Sequence, residues 1–461
     1  MTQQEIEAVI RRQRSFFESG KTGEYQFRHE RLKALRELVT RHENEIYEAL
    51  RADLGRPQSE TFFGELLFVQ GEIENALTCL HSWMKPKAVG TPLLLSPGSS
   101  SLHSEPYGVT LIIGPWNYPF QLMMAPLVGA VAAGNCVVLK PSEISSHTSS
   151  LLARLIPRYF EPGYIDVVEG GVEESGYLLQ ERLDYLFYTG NPAVGRIVME
   201  AAARHLTPLT LELGGKSPCI FYRNFHFEAA VKRIVWGKFF NAGQTCVAPD
   251  YLLLYDGIAD EIIKLIQKTV ADFFGDDPKK SPDYSRIINE RHFKRLTALM
   301  EEGRIITGGA ADAATRYIAP TVIDEVTWDS KIMEEEIFGP LLPVIYFDNL
   351  DKVLAEIRKR PKPLALYLFS EDRETQRKVI RGTSSGGMCI NDTLVHISTR
   401  ELPFGGVGQS GMGAYHGKYT FDTFSHRKSV MERSLLLDPS FRYPPYPAMS
   451  PAFRKILGFL G

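Results

Sequence analysis

The sequence has few cysteines, and their arrangement argues against two classes of protein. Its 461 residues include only five: Cys79, Cys136, Cys219, Cys246 and Cys389. They are scattered, odd in number and never form a C-x-x-C pair, so neither a disulfide framework nor a zinc site is expected. We predict a protein of a reducing compartment, the cytoplasm, without a bound metal.

A strong charge of one sign and a long apolar run are also missing. The formal net charge is −3, so no basic surface suggests nucleic acid as a partner. The longest apolar-biased stretch, residues 125–139, contains two glycines and an asparagine and is too short for a membrane span. The N-terminal segment carries acidic residues among apolar ones, unlike a signal or transit peptide. We predict no membrane span and leave peripheral membrane contact by the apolar C-terminal tail open.

What the chain does contain is an alternation of short apolar runs and helical stretches. Residues 1–85 have helical spacing, with Gly55 closing one helix. From Gly108 onward, strands about 20–30 residues apart indicate βαβ units and a parallel sheet, and a second series begins near Ser217. The sequence therefore predicts an α/β fold with two α/β domains in succession. The Gly-, Pro- and Ser-rich residues 89–106 look like an extended arm.

Polar residues follow several predicted strands, where open α/β sheets bind ligands. After "VTLIIG", Trp116 and Asn117 lie in a turn before a helix. Asn117 fits an ordinary turn residue, and it also fits an amide that donates to developing negative charge. Lys140 and Glu143 follow the next strand, and either is a surface group or a contact to a ribose or phosphate.

Two glycines and a serine pair mark the starts of later helices. Gly190 and Gly195, with four residues between them, follow a strand and open a helix. This is the context in which backbone N–H groups bind a pyrophosphate, although turn glycines explain it as well. Ser142 or Ser145 is expected to cap the helix after Lys140.

Acidic residues and one thiol complete the set of candidates. Glu212 interrupts an apolar strand, so it is either a salt-bridged glutamate or a general base. Glu336 and Phe338 follow two further glutamates, where a solvated face and a ribose contact are both reasonable. Cys246 has small polar neighbours and no adjacent histidine, and a structural thiol and a nucleophile are about equally supported.

Taken together, these segments resemble the aldehyde dehydrogenase superfamily. The similarity is carried, in family order, by "GPWNYP", "LKPSE", "FYTGNPAVG", "LELGGKSP", "FFNAGQTCVAPD", "EEEIFGP" and "LPFGGVGQSGMG". "SGMGAYHGKYTFDTFSHRKSV" and "RYPPYP" are similar to the class 3, fatty-aldehyde branch. Matches in this order extend from about residue 105 to residue 430.

The resemblance implies a role for each candidate residue. Cys246 matches the family nucleophile, Glu212 the general base and Asn117 the oxyanion amide. The positions that match cofactor contacts are Trp116, Lys140, Glu143, Gly190, Gly195, Glu336 and Phe338. The implied reaction oxidises medium- or long-chain aliphatic, or aromatic, aldehydes to acids with NAD or NADP, through a hemithioacetal and a thioester on the cysteine.

The resemblance also implies how the chain is divided. A Rossmann-like cofactor domain comprises residues 1–89 and 107–211, and a catalytic domain comprises residues 212–395. Residues 90–106 and 396–461 form an oligomerisation arm and C-terminal tail, and a homodimer is expected.

Two other activities stay open at this point. A CoA-acylating dehydrogenase keeps the cysteine but needs no water-activating base, so Glu212 argues for hydrolysis. A cysteine hydrolase or amidase normally places a histidine beside the thiol, and the chain has no histidine near Cys246 in sequence. The choice between NAD and NADP also stays open, because Glu143 disfavours a 2′-phosphate and Lys140 favours one.

Overall fold

The structure is a computed structural model that describes residues 1–223 and 226–460. Residues 224–225 and 461, which belong to the predicted catalytic domain and tail, lie outside the described part. Within that part, no helix is both long and apolar enough to cross a membrane.

The helices occupy the N-terminal region and alternate with strands thereafter. A π-helical turn, Phe62–Leu66, separates the fourth helix from the fifth. The α-helices are α1 Gln3–Glu18, α2 Tyr25–Arg41, α3 Glu43–Leu54, α4 Gln58–Thr61, α5 Leu67–Met84, α6 Gln121–Ala133, α7 Ser146–Tyr159, α8 Val172–Gln180, α9 Pro192–His205, α10 Phe227–Phe239, α11 Ala259–Phe274, α12 Glu290–Leu299, α13 Leu350–Lys359, α14 Arg373–Gly382, α15 Lys418–Thr423 and α16 Pro451–Leu460.

The strands begin at the Gly-, Pro- and Ser-rich arm and recur to the C-terminal region. They are β1 Lys87–Val89, β2 Gly98–Pro106, β3 Val109–Ile113, β4 Cys136–Lys140, β5 Ile165–Val167, β6 Tyr185–Thr189, β7 Leu209–Glu212, β8 Pro218–Phe221, β9 Tyr251–Tyr255, β10 Arg304–Thr307, β11 Ala311–Asp312, β12 Tyr317–Ile318, β13 Thr321–Asp324, β14 Leu341–Phe347, β15 Ala365–Phe369, β16 Gly387–Ile390, β17 Gly411–Met412 and β18 Ser425–Arg433.

The N-terminal helices pack against the first sheet, as their spacing predicts. Helix α1 begins with a capping box, in which Thr2 Oγ1 accepts from the Glu5 N–H at 3.3 Å and the Glu5 carboxylate accepts from the Thr2 N–H at 2.7 Å. Ile6 and Ile10 are buried on its inner face. Helix α3 ends, as predicted, at Gly55, whose φ of 59° is left-handed.

The first sheet has six strands in the order β17-β7-β6-β3-β4-β5, all parallel except β17. From central β3 the chain builds β4 and β5 on one side and then returns to build β6 and β7 on the other. The strand order therefore reverses between β3 and β6, which is where doubly wound sheets bind ligands. At one edge β17, from the C-terminal region, pairs Gly411 with Glu212.

The helix after Lys140 is capped differently from the prediction. Ser145 precedes α7, but its hydroxyl donates to the Ser142 carbonyl and caps no helical N–H. Asp53, at the end of α3, accepts instead from the N–H groups of His147 at 3.0 Å and Thr148 at 2.9 Å. The serine prediction was wrong because a carboxylate from another helix occupies the capping position with a stronger, charged acceptor.

The second sheet has seven strands in the order β10-β13-β14-β9-β8-β15-β16. Only β10 is antiparallel to its neighbour. The segment that carries Cys246 lies between α10 and β9, at the amino end of this sheet. A third sheet joins β1, β2 and β18 in antiparallel pairing. The predicted α/β fold with two parallel-sheet units is thus confirmed.

Asn135 ties three segments together where α6 turns into β4. It is fully buried. Its Oδ1 accepts from the Gly108 N–H at 3.0 Å, and its Nδ2 donates to the carbonyls of Ala130 at 3.3 Å and Phe424 at 2.9 Å. The side chain therefore links the start of the first sheet to the segment that enters β18.

We predict that Asn135→Ala destabilises the protein by about 2–5 kcal/mol, because it leaves the buried Gly108 N–H and the Phe424 carbonyl without their partner. Urea unfolding measured by fluorescence checks this. The matched control is Asn349→Ala, which removes an exposed helix cap and should cost about 1 kcal/mol. Equal losses in the two variants would contradict the role assigned to Asn135.

Candidate active site

The carboxyl edge of the first sheet brings together four of the residues singled out in the sequence. Asn117 lies in the turn after β3, Lys140 ends β4, Gly190 follows β6 and Glu212 ends β7. Strands β3 and β6 are neighbours, so Asn117 and Gly190 flank the point where the strand order reverses. The edge therefore has the position expected of a ligand site.

The loop that carries Cys246 begins with strained backbone. Asn241 and Ala242, directly after α10, have φ values of 54° and 50°, a left-handed conformation that costs about 1–2 kcal/mol per non-glycine residue. Gly243 follows with φ of 72°, and a Cβ there would lie 2.3 Å from the Gly339 carbonyl oxygen. Only glycine fits this close approach.

The side chain of Gln244 fixes the loop on the far side. Its Nε2 donates to the carbonyls of Asn241 at 3.1 Å and Arg286 at 3.0 Å, and its Oε1 accepts from the Ile288 N–H at 3.0 Å. The amide is fully buried and bonded at both ends. Cys246, two residues later, is therefore presented by a rigid support.

Asn117 joins the first sheet to this loop. It is buried, and its Nδ2 donates to the Gln244 carbonyl at 3.0 Å. Its own carbonyl accepts from Asn241 Nδ2, also at 3.0 Å. A primary amide has two N–H groups, and within the described residues Asn117 uses one of them. The other is free for a ligand oxygen near Cys246.

The Cys246 thiol is half-buried, and its surroundings favour the neutral form. Burial raises the pKa of this thiol well above its ordinary value, and the negative charges of Glu336 and Glu212 raise it further. The backbone N–H groups of Cys246 and Val247 lower the pKa and act in the opposite direction. Positive charge placed near the thiol would lower its pKa.

Glu212 is an unpaired buried carboxylate. It is 2% exposed, and neither carboxylate oxygen has a hydrogen-bond partner among residues 1–223 and 226–460. Burial raises the pKa of Glu212 well above its ordinary value. Of the two interpretations from the sequence, a salt-bridged glutamate does not fit these contacts. A carboxyl group with two free oxygens beside a thiol fits a group that works on a water molecule.

Glu336 and Phe338 form the opposite wall. Glu336 packs on Gly214, where a Cβ would lie 2.1 Å from Oε2. Burial, followed by the charge of Asp250, raises the pKa of Glu336 to about 8. Phe338 has a left-handed φ of 50°, and its ring centroid lies 5.3 Å from that of Trp116. Two distant motifs thus meet at one wall.

Two charged residues that the sequence did not single out hold this wall. Lys216 forms an ion pair with Asp250 and donates to the carbonyls of Ile332 and Glu335, both at 2.9 Å. Asp250 also accepts from the Ile337 N–H at 2.9 Å. Both residues lie inside motifs that carried the family resemblance. A charged residue at the boundary of a predicted strand is the sequence feature that could have identified them.

An aromatic surface leads away from the thiol. The Tyr118 hydroxyl lies 2.7 Å from Thr245 Oγ1, and the rings of Tyr118 and Phe240 both approach Gly64, where a Cβ would lie 3.1 Å from each. The Trp236 ring lies 5.4 Å from Phe240 and is 37% exposed. A row of aromatic side chains therefore runs from the residue next to Cys246 to a partly exposed tryptophan.

Lys140 is buried and not a solvated surface group. Its Nζ donates to the carbonyls of Pro141 at 2.9 Å and Gly170 at 2.6 Å, and it lies 3.9 Å from the half-exposed Glu143 carboxylate. Burial lowers the pKa of Lys140, and Glu143 acts in the opposite direction. An ammonium group has three donors, so one remains for a ligand.

Apolar side chains on two adjacent helices complete this end of the edge. Val172 opens α8, and Val194 and Ile197 lie on α9 beside it, all three exposed. Gly170, which Lys140 contacts, directly precedes α8. Exposed apolar side chains near a lysine donor and a carboxylate would suit the adenosine half of a dinucleotide.

The two glycines after β6 allow close packing, but their N–H groups are already hydrogen-bonded within the protein. The Gly190 N–H donates to the Glu212 carbonyl and the Gly195 N–H to the Asn191 carbonyl, both at 3.0 Å. A Cβ at Gly195 would lie 2.9 Å from Leu213, so this glycine lets α9 pack closely beside the strand of Glu212. The helix N-terminus still carries the partial positive charge that favours an anion.

Comparison with known proteins places the whole chain in one group. Residues 1–430 match the model of the aldehyde dehydrogenase family. The chain is 48% identical over 442 residues to the dimeric NADP-preferring aldehyde dehydrogenase of Canis lupus familiaris, covering 95% of this chain and 98% of that protein. It is 47% identical over 443 residues to 4,4'-diaponeurosporen-aldehyde dehydrogenase of Staphylococcus aureus, covering 96% of each.

A solved structure is similar over nearly the full length. The substrate-bound state of Staphylococcus aureus AldH superposes with a TM-score of 0.95 at 46% identity, covering 99% of both chains. The sheets and the edge described above are therefore those of a known architecture.

We predict that Glu336→Gln makes the Cys246 thiol easier to alkylate at high pH. Removing a negative charge lowers the pKa of this thiol, so more thiolate is present at a given pH and the alkylation rate should rise severalfold. Because the pKa of Glu336 is about 8, its charge is present mainly above pH 8, and the rates should converge below pH 7. Alkylation by iodoacetamide, followed by peptide mass spectrometry, separates Cys246 from the other cysteines.

The control for this measurement is Glu334→Gln, which removes an exposed carboxylate of the same motif. Its alkylation profile should follow that of the wild type. Overlapping profiles for Glu336→Gln and the wild type above pH 8 would contradict the electrostatic coupling.

Proposed function

Because the chain belongs to the aldehyde dehydrogenase family, within its class 3 branch, and oxidises aldehydes with NAD or NADP, we propose that Cys246 is the nucleophile and Glu212 the general base. The observation that carries this proposal is the unpaired, buried Glu212 carboxyl, whose charge acts on the Cys246 thiol. A nucleophile and a proton acceptor are then present in one water-poor site.

In the first half-reaction, Cys246 Sγ attacks the aldehyde carbon and forms a hemithioacetal. The developing oxyanion accepts from the free N–H of Asn117 Nδ2 and from the Cys246 backbone N–H. The same backbone group lowers the pKa of the thiol, so it stabilises negative charge both before and after attack. Loss of hydride from the hemithioacetal carbon leaves a thioester on Cys246.

The cofactor residues are proposed from the positions they occupy along the two walls. When bound, NAD or NADP supplies a hydride acceptor and a positive charge near the thiol. Lys140 and Glu143 lie after β4 beside Gly170, which leads into α8, and Gly190 and Gly195 border the α9 N-terminus. At the other wall, Glu336 would accept from a ribose hydroxyl, and the rings of Trp116 and Phe338, which meet edge to face, would confine the nicotinamide end.

In the second half-reaction, Glu212 removes a proton from a water molecule that attacks the thioester carbon. Its two free oxygens leave room for that water, and its raised pKa makes the ionised form a stronger base. The tetrahedral intermediate then breaks its C–S bond, which releases the acid and returns Cys246 as a thiolate. Glu212 passes the proton that it gained to bulk solvent after the acid is released. A CoA-dependent release needs no such group, so the geometry favours hydrolysis.

The substrate is proposed to be a medium- or long-chain aliphatic, or an aromatic, aldehyde. The aromatic surface of Tyr118, Phe240 and Trp236 beside the thiol loop supports apolar substrates. The Staphylococcus aureus relative is named 4,4'-diaponeurosporen-aldehyde dehydrogenase.

We further propose a cytoplasmic homodimer with the domain division given by the motifs. Residues 1–89 and 107–211 form the cofactor domain and residues 212–395 the catalytic domain. Residues 90–106 and 396–461 form the arm and tail. Support comes from the separate sheet of β1, β2 and β18, from the word dimeric in the name of the canine relative, and from five unpaired cysteines. Sedimentation velocity tests the oligomeric state.

We predict that Cys246→Ala abolishes aldehyde-dependent formation of NADH or NADPH, because it removes the atom that attacks the carbonyl. Cofactor binding, measured by fluorescence quenching, should be unchanged. The control is Cys389→Ala, a half-buried thiol outside the proposed machinery, which should keep near-wild-type turnover. Persistent activity in Cys246→Ala would refute the nucleophile assignment.

We predict that Glu212→Gln still gives a rapid burst of reduced cofactor but slows steady turnover about 10²–10⁴-fold, the usual contribution of a general base. Stopped-flow absorbance separates the two phases, and mass spectrometry detects the accumulated thioester. Glu72→Gln is the control, since Glu72 is a buried carboxylate that already accepts from the Gly417 N–H. Undiminished turnover after the burst would exclude Glu212 as the base.

A CoA assay in the same experiment distinguishes the alternative acceptor. If CoA restored turnover of Glu212→Gln and the product became the acyl-CoA, the enzyme would belong to the acylating class. The expected product is the free acid with or without CoA.

A further inference from the structure

A buried ion pair lies beneath the thiol loop. Arg56 follows α3, and Glu65 belongs to the π-helical turn before α5. Both side chains are fully buried, and Arg56 Nη1 donates to Glu65 Oε1. Buried ion pairs add little stability compared with apolar residues of the same size. The other contacts of Arg56 and Glu65 indicate that the pair holds neighbouring groups in place.

The second oxygen of Glu65 holds the start of α6. Glu65 Oε2 accepts from the N–H groups of Phe120 at 3.1 Å and Gln121 at 2.6 Å. Phe120 is the N-cap residue and its own side chain caps nothing. Asn117 lies only three residues before this point. Glu65 thus fixes the end of the Asn117 turn from another element.

Arg56 holds the turn itself and the loop opposite. Its Nη2 donates to the Asn117 carbonyl, its Nε donates to Asn241 Oδ1 at 3.2 Å, and its guanidinium lies 4.7 Å from the Tyr118 ring centroid. Asn241 Nδ2 in turn donates to the carbonyls of Asn117 at 3.0 Å and Gln244 at 3.1 Å. One guanidinium therefore bonds both to the Asn117 turn at the first sheet and to the Cys246 loop at the second.

We propose that Arg56 and Glu65 are positioning residues that set where the Asn117 amide stands relative to Cys246. They contact neither the thiol nor the carboxyl of Glu212, and they act through the Asn117 turn. This inference rests on the proposed role of Asn117 as the oxyanion donor. The planar, five-donor guanidinium suits the task, because it can bond to several acceptors at fixed angles at once.

A double-mutant cycle tests the inference. Asn117→Ala should lower kcat by about 10²–10³-fold, as expected for one oxyanion donor. Arg56→Gln should lower kcat by about 10–100-fold, the effect of displacing a catalytic group by about 1 Å, with KM and cofactor affinity nearly unchanged. The double variant should be no slower than Asn117→Ala within about threefold, because Arg56 acts only through Asn117.

Arg28→Gln is the matched control. Arg28 is the other buried arginine of the described residues, and it donates to the carbonyls of Thr22 at 2.7 Å and of Ala132, near the far end of α6, at 3.2 Å. It should lower the unfolding midpoint by an amount similar to Arg56→Gln while leaving kcat of the folded enzyme unchanged. This separates loss of stability from loss of position.

Two gentler variants keep the test decisive if Arg56→Gln does not fold. Arg56→Lys, with one ammonium for several acceptors, should lose less than about tenfold in kcat. Glu65→Gln retains an oxygen for the α6 N–H groups and should give a similar small loss. Combined with Asn117→Ala, each should again cause no further loss.

The possible outcomes distinguish the positioning role of Arg56 from the proposed role of Asn117. Multiplicative losses in the Arg56 and Asn117 cycle would overturn the positioning role and leave Asn117 as the oxyanion donor. An unchanged kcat in Asn117→Ala would overturn the proposed function of Asn117 itself. A loss of kcat in Arg28→Gln equal to that in Arg56→Gln would show a general structural effect and also overturn the inference.

Discussion

The hydrogen bond from the Asn117 side chain to the Gln244 carbonyl joins two parts of the molecule that have no common sheet. Asn117 stands at the carboxyl edge of the first sheet, and Gln244 stands at the amino end of the second. Neither segment belongs to a helix or strand that could fix its position alone. The left-handed residues 241–243 also need outside support, since their conformation is unfavourable in isolation. The distances between the Cys246 thiol, the Asn117 amide and the Glu212 carboxyl, which lie on different sheets or loops, depend on this bond and on the side chains around it.

The site combines buried carboxyl groups of two kinds. Glu65 has three partners, one of them a guanidinium, and these oppose the rise in its pKa that burial causes. Glu212 has no partner within the described residues, so nothing opposes the effect of burial on its pKa. Burial also raises the pKa of the Cys246 thiol. A cationic ligand near the thiol would favour loss of its proton, so reactivity would increase when the cofactor is in place.

Much of the site could be predicted from the sequence, because its residues lie directly after strands or within short motifs. Asn117, Lys140, Gly190 and Glu212 all fall where the alternation of strands and helices placed them. The supporting residues could not be predicted in this way. Asp53 caps α7 from 94 positions away, and Glu65 holds the Gln121 N–H from 56 positions away. Such partners come together only through tertiary packing, so a local pattern of residues cannot predict them.

The pairing of β17 with β7 has a consequence for how the chain is made. Gly411 is synthesised about 200 residues after Glu212, whose strand it completes. At about 5–20 residues per second, a ribosome needs roughly 10–40 s to span that interval. The strand that ends in the unpaired carboxyl therefore keeps an open edge for most of the synthesis that follows it. A nascent chain interrupted between Cys246 and Gly411 carries the thiol but lacks the strand that closes the sheet beside it, which is the kind of exposed edge that chaperones protect.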